Sequence, residues 1–318
     1  MSHKSRLRQS ILKFNSLLRP IDALFAASSS SSLPPPLFII GPPRSGSTLT
    51  YQLVTQRFQV GYMTAPLAYA HGMINVLTRL SRPWLKRPLP VFESHYGNTP
   101  GLFAPSEHAL YWFRWFPQDG ELGHYLAPET IDSHAYGDLR QSLNSLASIL
   151  GRPWVFKNLY LSISAGALAR ILPDARFLVV RRDPLLVCQS LLHVRERRPA
   201  TDWWSVKPPF YHDWQDLPLW QQVARQVFYA DVIPRRDLQT YAPQRYIELD
   251  YPFLCRQPWE SLQNIEDWLR PLGYESHRDP SIPRAFQASE HIHLDGALAK
   301  LIQDELHLLK NKFDASKT

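Results

Sequence analysis

Apolar residues occur along this chain in two kinds of run. Three short continuous blocks, Leu37-Phe38-Ile39-Ile40, Trp154-Val155-Phe156 and Phe177-Leu178-Val179-Val180, suit buried strands and are too short for independent helices. Elsewhere the apolar positions recur at helical spacing. Leu139, Leu143, Leu146 and Leu150 mark a helix over 136–150, which Gly151-Arg152-Pro153 stops. Helices are likewise predicted over 48–58, 66–80, 159–172 (closed by Pro173-Asp174) and 185–194, with a short further strand at 59–62. Residues 82–105, cut by prolines and glycines, predict a long loop, and the aromatic run from Ala109 to Trp115 predicts a helix over 107–116. Strands alternating with helices imply an α/β fold, a three-layer α/β/α architecture around a central parallel sheet. Ligands of such sheets sit at the carboxyl ends of the strands.

Ahead of the first block, residues 4–25 place Leu7, Ile11, Leu17, Leu18, Ile21 and Phe25 at helical spacing, with Arg6, Arg8, Lys13 and Arg19 between them. A basic helix of this kind fits peripheral contact with a membrane surface. It also fits packing on the body or on a partner chain, which is the preferred reading. Five serines over 28–32 and then Pro34-Pro35-Pro36 make a linker that cannot pack a core. The chain is therefore expected to divide into an extension, 1–36, and a single domain, 37–318.

Composition narrows the function classes. With 44% hydrophobic and 20% charged residues over 318 positions, the chain is globular rather than disordered. A net charge of +7 suits an anionic ligand or surface, but the basic residues are dispersed, which argues against nucleic acid. No apolar run reaches the roughly eighteen residues of a membrane span, and charges interrupt any signal-peptide core at the N-terminus. Cys188 and Cys255 form neither a zinc pattern nor a disulfide framework. These features point to a cytoplasmic protein, with any membrane association through the N-terminal helix.

The candidate chemistry lies where the strands end. After the first block comes Gly41-Pro42-Pro43-Arg44-Ser45-Gly46-Ser47-Thr48. A strand, a glycine-containing loop and a helix start form an anion cradle, because the unpaired N–H groups and the helix dipole both favour negative charge. The spacing departs from the phosphate loop of nucleotide hydrolases at one position, where Ser47 replaces the lysine. A kinase or hydrolase is the competing reading. That substitution disfavours it, as does a strand ending in Arg181-Arg182 rather than in aspartate. A second motif follows this strand: Arg182-Asp183-Pro184, with Ser190 eight residues after Arg182. Pro184 suits a first helical turn. An arginine at the strand end and a hydroxyl on the next helix can grip one phosphate from two sides.

With both motifs in this order, the chain resembles the sulfotransferases that use 3′-phosphoadenosine 5′-phosphosulfate. Pro43 to Thr48 match the family's loop, and Arg182, Asp183, Pro184 and Ser190 match its second motif. Lys157 at a strand end, Pro173-Asp174-Ala175-Arg176-Phe177 and Glu248-Leu249-Asp250-Tyr251 before a final helix extend the likeness over most of 37–275. The resemblance implies a P-loop-like sulfotransferase fold and transfer of a sulfuryl group, without a metal, to a hydroxyl of a carbohydrate, lipid or small molecule. It implies that Arg44, Ser45, Gly46, Ser47 and Thr48 hold the 5′-phosphosulfate, and that Arg182 and Ser190 hold the 3′-phosphate. Lys157 would stabilise charge on the departing nucleotide.

The general base stays open at this point. The family's cytosolic small-molecule branch places a histidine two residues after the lysine, and Leu159 stands there instead. Other branches use a glutamate from loops after the first helix. Glu107 is the preferred candidate, ahead of Glu93, His95 and His108. A non-catalytic nucleotide-binding member is the remaining alternative. The aromatic residues Trp203, Trp204, Phe210, Tyr211, Trp214 and Trp220 suit an apolar or carbohydrate acceptor, or simply the core. Arg195, Arg197 and Arg198 suit either an addition to the 3′-phosphate site or solvent, and solvent is the preferred reading.

Overall fold

All four side chains of the first apolar block are buried, as a strand covered on both faces requires. The computed structural model describes residues 3–28, 33–86, 92–93, 99–199 and 202–315. Among these, five strands form one parallel sheet: β1 (Leu37–Ile40), β2 (Gly61–Tyr62), β3 (Trp154–Lys157), β4 (Arg176–Arg181) and β5 (Tyr246–Asp250). Their spatial order is β2-β3-β1-β4-β5. The helices on its faces and edges are α1 (His3–Ala23), α2 (Ser47–Arg57), α3 (Ala65–Tyr69), α4 (Ile74–Leu85), α5 (Gly137–Leu150) and α6 (Leu159–Ser162). They continue with α7 (Ala165–Ile171), α8 (Pro184–Arg195), α9 (Leu219–Tyr241), α10 (Tyr251–Arg256), α11 (Pro258–Leu269) and α12 (Gly296–Ala315). The expected layered α/β architecture is the one observed.

A row of aromatic rings crosses the sheet. Phe38 on β1 is in register with Phe156 on β3 and Phe177 on β4, with ring centroids 5.4 and 5.8 Å away. Trp112 packs over this row, 5.9 Å from Phe38 and 5.1 Å from Phe156. This anchor corrects one expectation. Residues 107–116 are not an α-helix; only Trp112–Arg114 make a 3-10 turn. A tertiary partner takes a carbonyl that a helix would use itself: the Asn158 amide donates to the Glu107 carbonyl at 2.6 Å, while the preceding Ser106 N–H donates to the Met63 carbonyl at 2.8 Å. Two predicted helices are also broken. The stretch 66–80 divides between α3 and α4 around the 3-10 turn His71–Met73, and 159–172 divides between α6 and α7.

The helix α1 is fastened to this body by buried polar groups. The Asn15 amide oxygen accepts from Gly72 N–H at 2.5 Å, and its nitrogen donates to the Tyr69 carbonyl at 2.9 Å. The buried Asp22 carboxylate accepts from the N–H groups of Asn75 and Val76, each at 3.1 Å, and from the Asn75 amide at 2.9 Å. Asp22 thus caps α4 from a different helix. Phe14, Leu17, Ile21 and Leu24 remain exposed. Asp22→Ala strips an acceptor from three N–H donors, and thermal unfolding should register a loss of about 2–4 kcal/mol. An unchanged Tm would show that α1 is not held there. No helix among the described residues is long and apolar enough to cross a membrane.

Candidate active site

β1 lies between β3 and β4, so connections leave it toward both sides of the sheet. Ligands of open parallel sheets bind outside the carboxyl ends at such a point. Gly41 follows β1 with φ 153°, and a Cβ there would come within 2.8 Å of the Val180 carbonyl oxygen on β4. Gly46 caps α2 with φ 97°, and its Cβ would lie 2.0 Å from the Tyr251 ring. Both positions therefore need glycine for conformation and for close approach. Between them, Arg44 holds the left-handed φ of 68°, the kind of local strain that concentrates at binding loops. Among the described residues no side chain caps α2, and the buried Ser45 hydroxyl has no hydrogen-bond partner.

A hollow of about 120 Å³ between this loop and the strand ends is lined by Arg44, Gly46, Ser47, Thr48, Glu107, Lys157 and Arg182, with Leu49, Leu159, Trp204 and Tyr251 completing the wall. Lys157, the last residue of β3, directs its ammonium to the Thr48 hydroxyl at 3.3 Å and to the Glu107 carboxylate, with which it makes an ion pair. Burial pulls the Lys157 ammonium down to about 7, and the charge of Arg44 adds to that pull. The Glu107 carboxylate acts in the opposite sense and favours the charged pair.

Glu107 is held from behind by Asn158. The Asn158 amide oxygen accepts from Tyr160 and Leu161 N–H at 3.0 and 3.2 Å, capping α6, while its nitrogen donates to the Glu107 carbonyl. Sequence reasoning passed over Asn158 as a positioning residue. Its signal was an asparagine standing between a strand and a helix, an N-cap pattern.

The two motifs meet in space. Arg44 Nε donates to the Ser190 hydroxyl at 3.0 Å, and Arg182 donates to the Arg44 carbonyl at 3.0 Å. Arg182 also donates to the Ser289 carbonyl at 2.6 Å and lies 5.2 Å above the Tyr251 ring. Asp183 accepts from Leu185 and Leu186 N–H, capping α8 and fixing Ser190 one turn further on. Other candidates lie apart from this cluster. Glu93 is exposed and offers its carbonyl to the Gln52 amide at 3.0 Å. The His108 ring packs edge-on against Tyr69 at 4.8 Å, and burial lowers its pKa. Neither lines the hollow, and His95 falls outside the described residues. Arg195, expected in solvent, is buried against Trp203 and bonded to Gln222 at 2.7 Å.

Comparison with known proteins addresses the family and the fold. A model of the sulfotransferase family matches residues 35–271. No curated protein matches the sequence. Among solved structures, sulfotransferase STF1 from Mycobacterium tuberculosis superposes with a TM-score of 0.51 at 16% identity, covering 92% of this chain and 75% of its own. Sulfotransferase STF9 from Mycobacterium avium gives 0.49 at 18% identity over 76% of this chain, which spans 64% of that protein. At these identities STF1 speaks for the fold alone. The family match includes the glycine loop, Lys157, all five strands and the Arg182–Ser190 motif, and by it the chain belongs to the sulfotransferase family.

Proposed function

We propose that this protein transfers a sulfuryl group from 3′-phosphoadenosine 5′-phosphosulfate to an acceptor hydroxyl, and that residues 37–318 form its single catalytic body. The observation that carries this reading is the gathering of Arg44, Lys157 and Arg182 around one hollow at the strand ends. The donor has a phosphosulfate at one end and a phosphate at the other, and two neighbouring cation groups suit it. The orphaned Ser45 hydroxyl and the uncapped start of α2 offer donors to the 5′ end. Arg182 and Ser190 suit the 3′-phosphate. Arg44, already bonded to Ser190, joins the two ends.

In this mechanism Glu107 takes the proton of the acceptor hydroxyl as its oxygen bonds to sulfur. Lys157 stabilises the charge that develops on the bridging oxygen from which sulfur departs. An anion held at the loop competes with Glu107 for Lys157, which releases the carboxylate for its role as base. Incubation with labelled phosphosulfate donor and cell extract, with mass analysis of the product, tests the reaction. Magnesium-dependent ATP turnover without sulfuryl transfer would overturn it. Arg182→Ala should weaken binding of 3′,5′-bisphosphoadenosine by about 10–100-fold in calorimetry and leave 5′-AMP binding nearly unchanged. Equal losses for both ligands would refute the 3′-phosphate assignment.

A further inference from the structure

A second, larger hollow of about 510 Å³ lies beside the first. Leu159 and Trp204 line the first, while their chain neighbours Tyr160, Trp203 and Ser205 line the second. Only one residue's width therefore separates the two along both segments.

Ser205 is the unusual part of its wall. It adopts φ 72°, in the left-handed region, and its buried hydroxyl has no hydrogen-bond partner among the described residues. A strained non-glycine residue and an unpaired buried hydroxyl are each unfavourable, and their coincidence at a cavity points to a ligand. The rest of the lining is polar, charged and aromatic with no aliphatic side chain: the rings of Tyr160, Trp203 and Tyr211 stand beside Gln118, Gln215 and Gln222, with Asp216 and three further charged residues around them. His124 is a fixed wall. Its Nδ1 accepts from Lys207 N–H at 2.8 Å, its Nε2 faces the Gln118 carbonyl at 2.8 Å, and burial lowers its pKa to about 3. Lys207 is paired with Asp119 at 2.7 Å and Asp202 with Arg198 at 2.8 Å. Arg8 reaches the hollow from α1, its guanidinium 5.6 Å from the Phe113 ring centroid.

Flat aromatic faces edged by amides and hydroxyls complement a pyranose ring, which offers C–H faces to the arene and hydroxyls to the edges. An alkyl chain would leave the Ser205 hydroxyl desolvated and unpaired. We propose that this hollow is the acceptor subsite, and that it takes a polyhydroxylated acceptor of carbohydrate type. Its ring rests on Trp203 and Tyr160, one hydroxyl bonds Ser205, and Arg8 assists selection from outside the segment that the family model matches. The assignment rests on the sulfuryl-transfer reading.

The test uses the full chain with and without saturating 3′,5′-bisphosphoadenosine. Methyl glycosides of glucose, galactose, mannose and N-acetylglucosamine, and separately 1-hexanol, are titrated by saturation-transfer NMR. At least one glycoside should bind in preference to hexanol. Ser205→Gly, whose backbone accepts this φ, and Arg8→Ala should each weaken that binding about fivefold or more. Calorimetry should show unchanged bisphosphoadenosine affinity in both variants, which also verifies that they fold. Binding of hexanol but of no glycoside, or glycoside binding that neither variant alters, overturns the subsite. Absence of bisphosphoadenosine binding to the wild-type chain overturns the transfer reading instead, and the nucleotide-free arm then decides whether the hollow binds a glycoside at all.

Discussion

Glu107→Gln is expected to lower kcat by about 10²–10⁴-fold while leaving the Kd for 3′,5′-bisphosphoadenosine unchanged. The substitution preserves shape. The bonds that fix this segment, from Ser106 to Met63 and from Asn158 to Glu107, end on main-chain atoms and survive it. It removes a carboxylate that touches Lys157 and lines the loop hollow. Within the ion pair, Glu107 keeps 20% of its side chain exposed against 2% for Lys157, so the carboxylate is the member that an incoming hydroxyl can reach. Steady-state kinetics with Glu93→Gln measured alongside separates the two glutamates. Wild-type turnover in Glu107→Gln together with loss in Glu93→Gln would move the base to the neighbouring segment.

Strand ends were the legible part of this chain. β1, β3 and β4 are buried on both faces and read as unbroken apolar blocks, so their limits were recoverable nearly to the residue. β5 was harder, because only Leu249 is buried, Tyr246 and Ile247 are half-buried, and the exposed Glu248 pairs with Arg181 at 2.9 Å. Long-range contacts defeated local pattern elsewhere. The aromatic run at 109–115 has helical composition, but Trp112 is drawn onto the Phe38–Phe156 row and the Glu107 carbonyl just before the run is taken by Asn158. The break between α3 and α4 depends on Asn15, more than fifty residues earlier, as its bond to Gly72 shows (57 positions apart). The helix α9 holds Pro234 in its interior, a residue that argues against a helix in any local reading.

The candidate site divides along the same line. Each anion motif is contiguous, so its residue types and spacing carry the chemistry without the fold. Relations between motifs are not contiguous. That Arg44 reaches Ser190, 146 positions away, or that Asn158 steadies Glu107, 51 positions away, follows only once parallel strands bring their carboxyl ends side by side. Arg8 is the extreme case. Its basic, amphipathic context reads as a surface helix, yet the fold delivers its guanidinium to a cavity shared with Tyr160 and Trp203.

Lys157→Met should lower kcat by about 10²–10³-fold, the range found on removing one preorganised donor from developing charge. Methionine is unbranched and of similar length, so it keeps the buried volume while removing the ammonium and its ion pair with Glu107. That ammonium sits 3.3 Å from Thr48 at the start of α2, where the loop meets the proposed phosphosulfate. The pH profile supplies a second readout. Burial and the nearby Arg44 charge lower the Lys157 pKa from 10.5 to about 7, so the group loses its proton at lower pH than an exposed lysine. Loss of that proton removes the stabilising charge. The wild-type kcat/KM should therefore fall on the alkaline side well below pH 10.5, and this fall should be absent from Lys157→Met. An alkaline limb that persists in the variant would belong to another group, and an undiminished kcat would remove Lys157 from the chemical step.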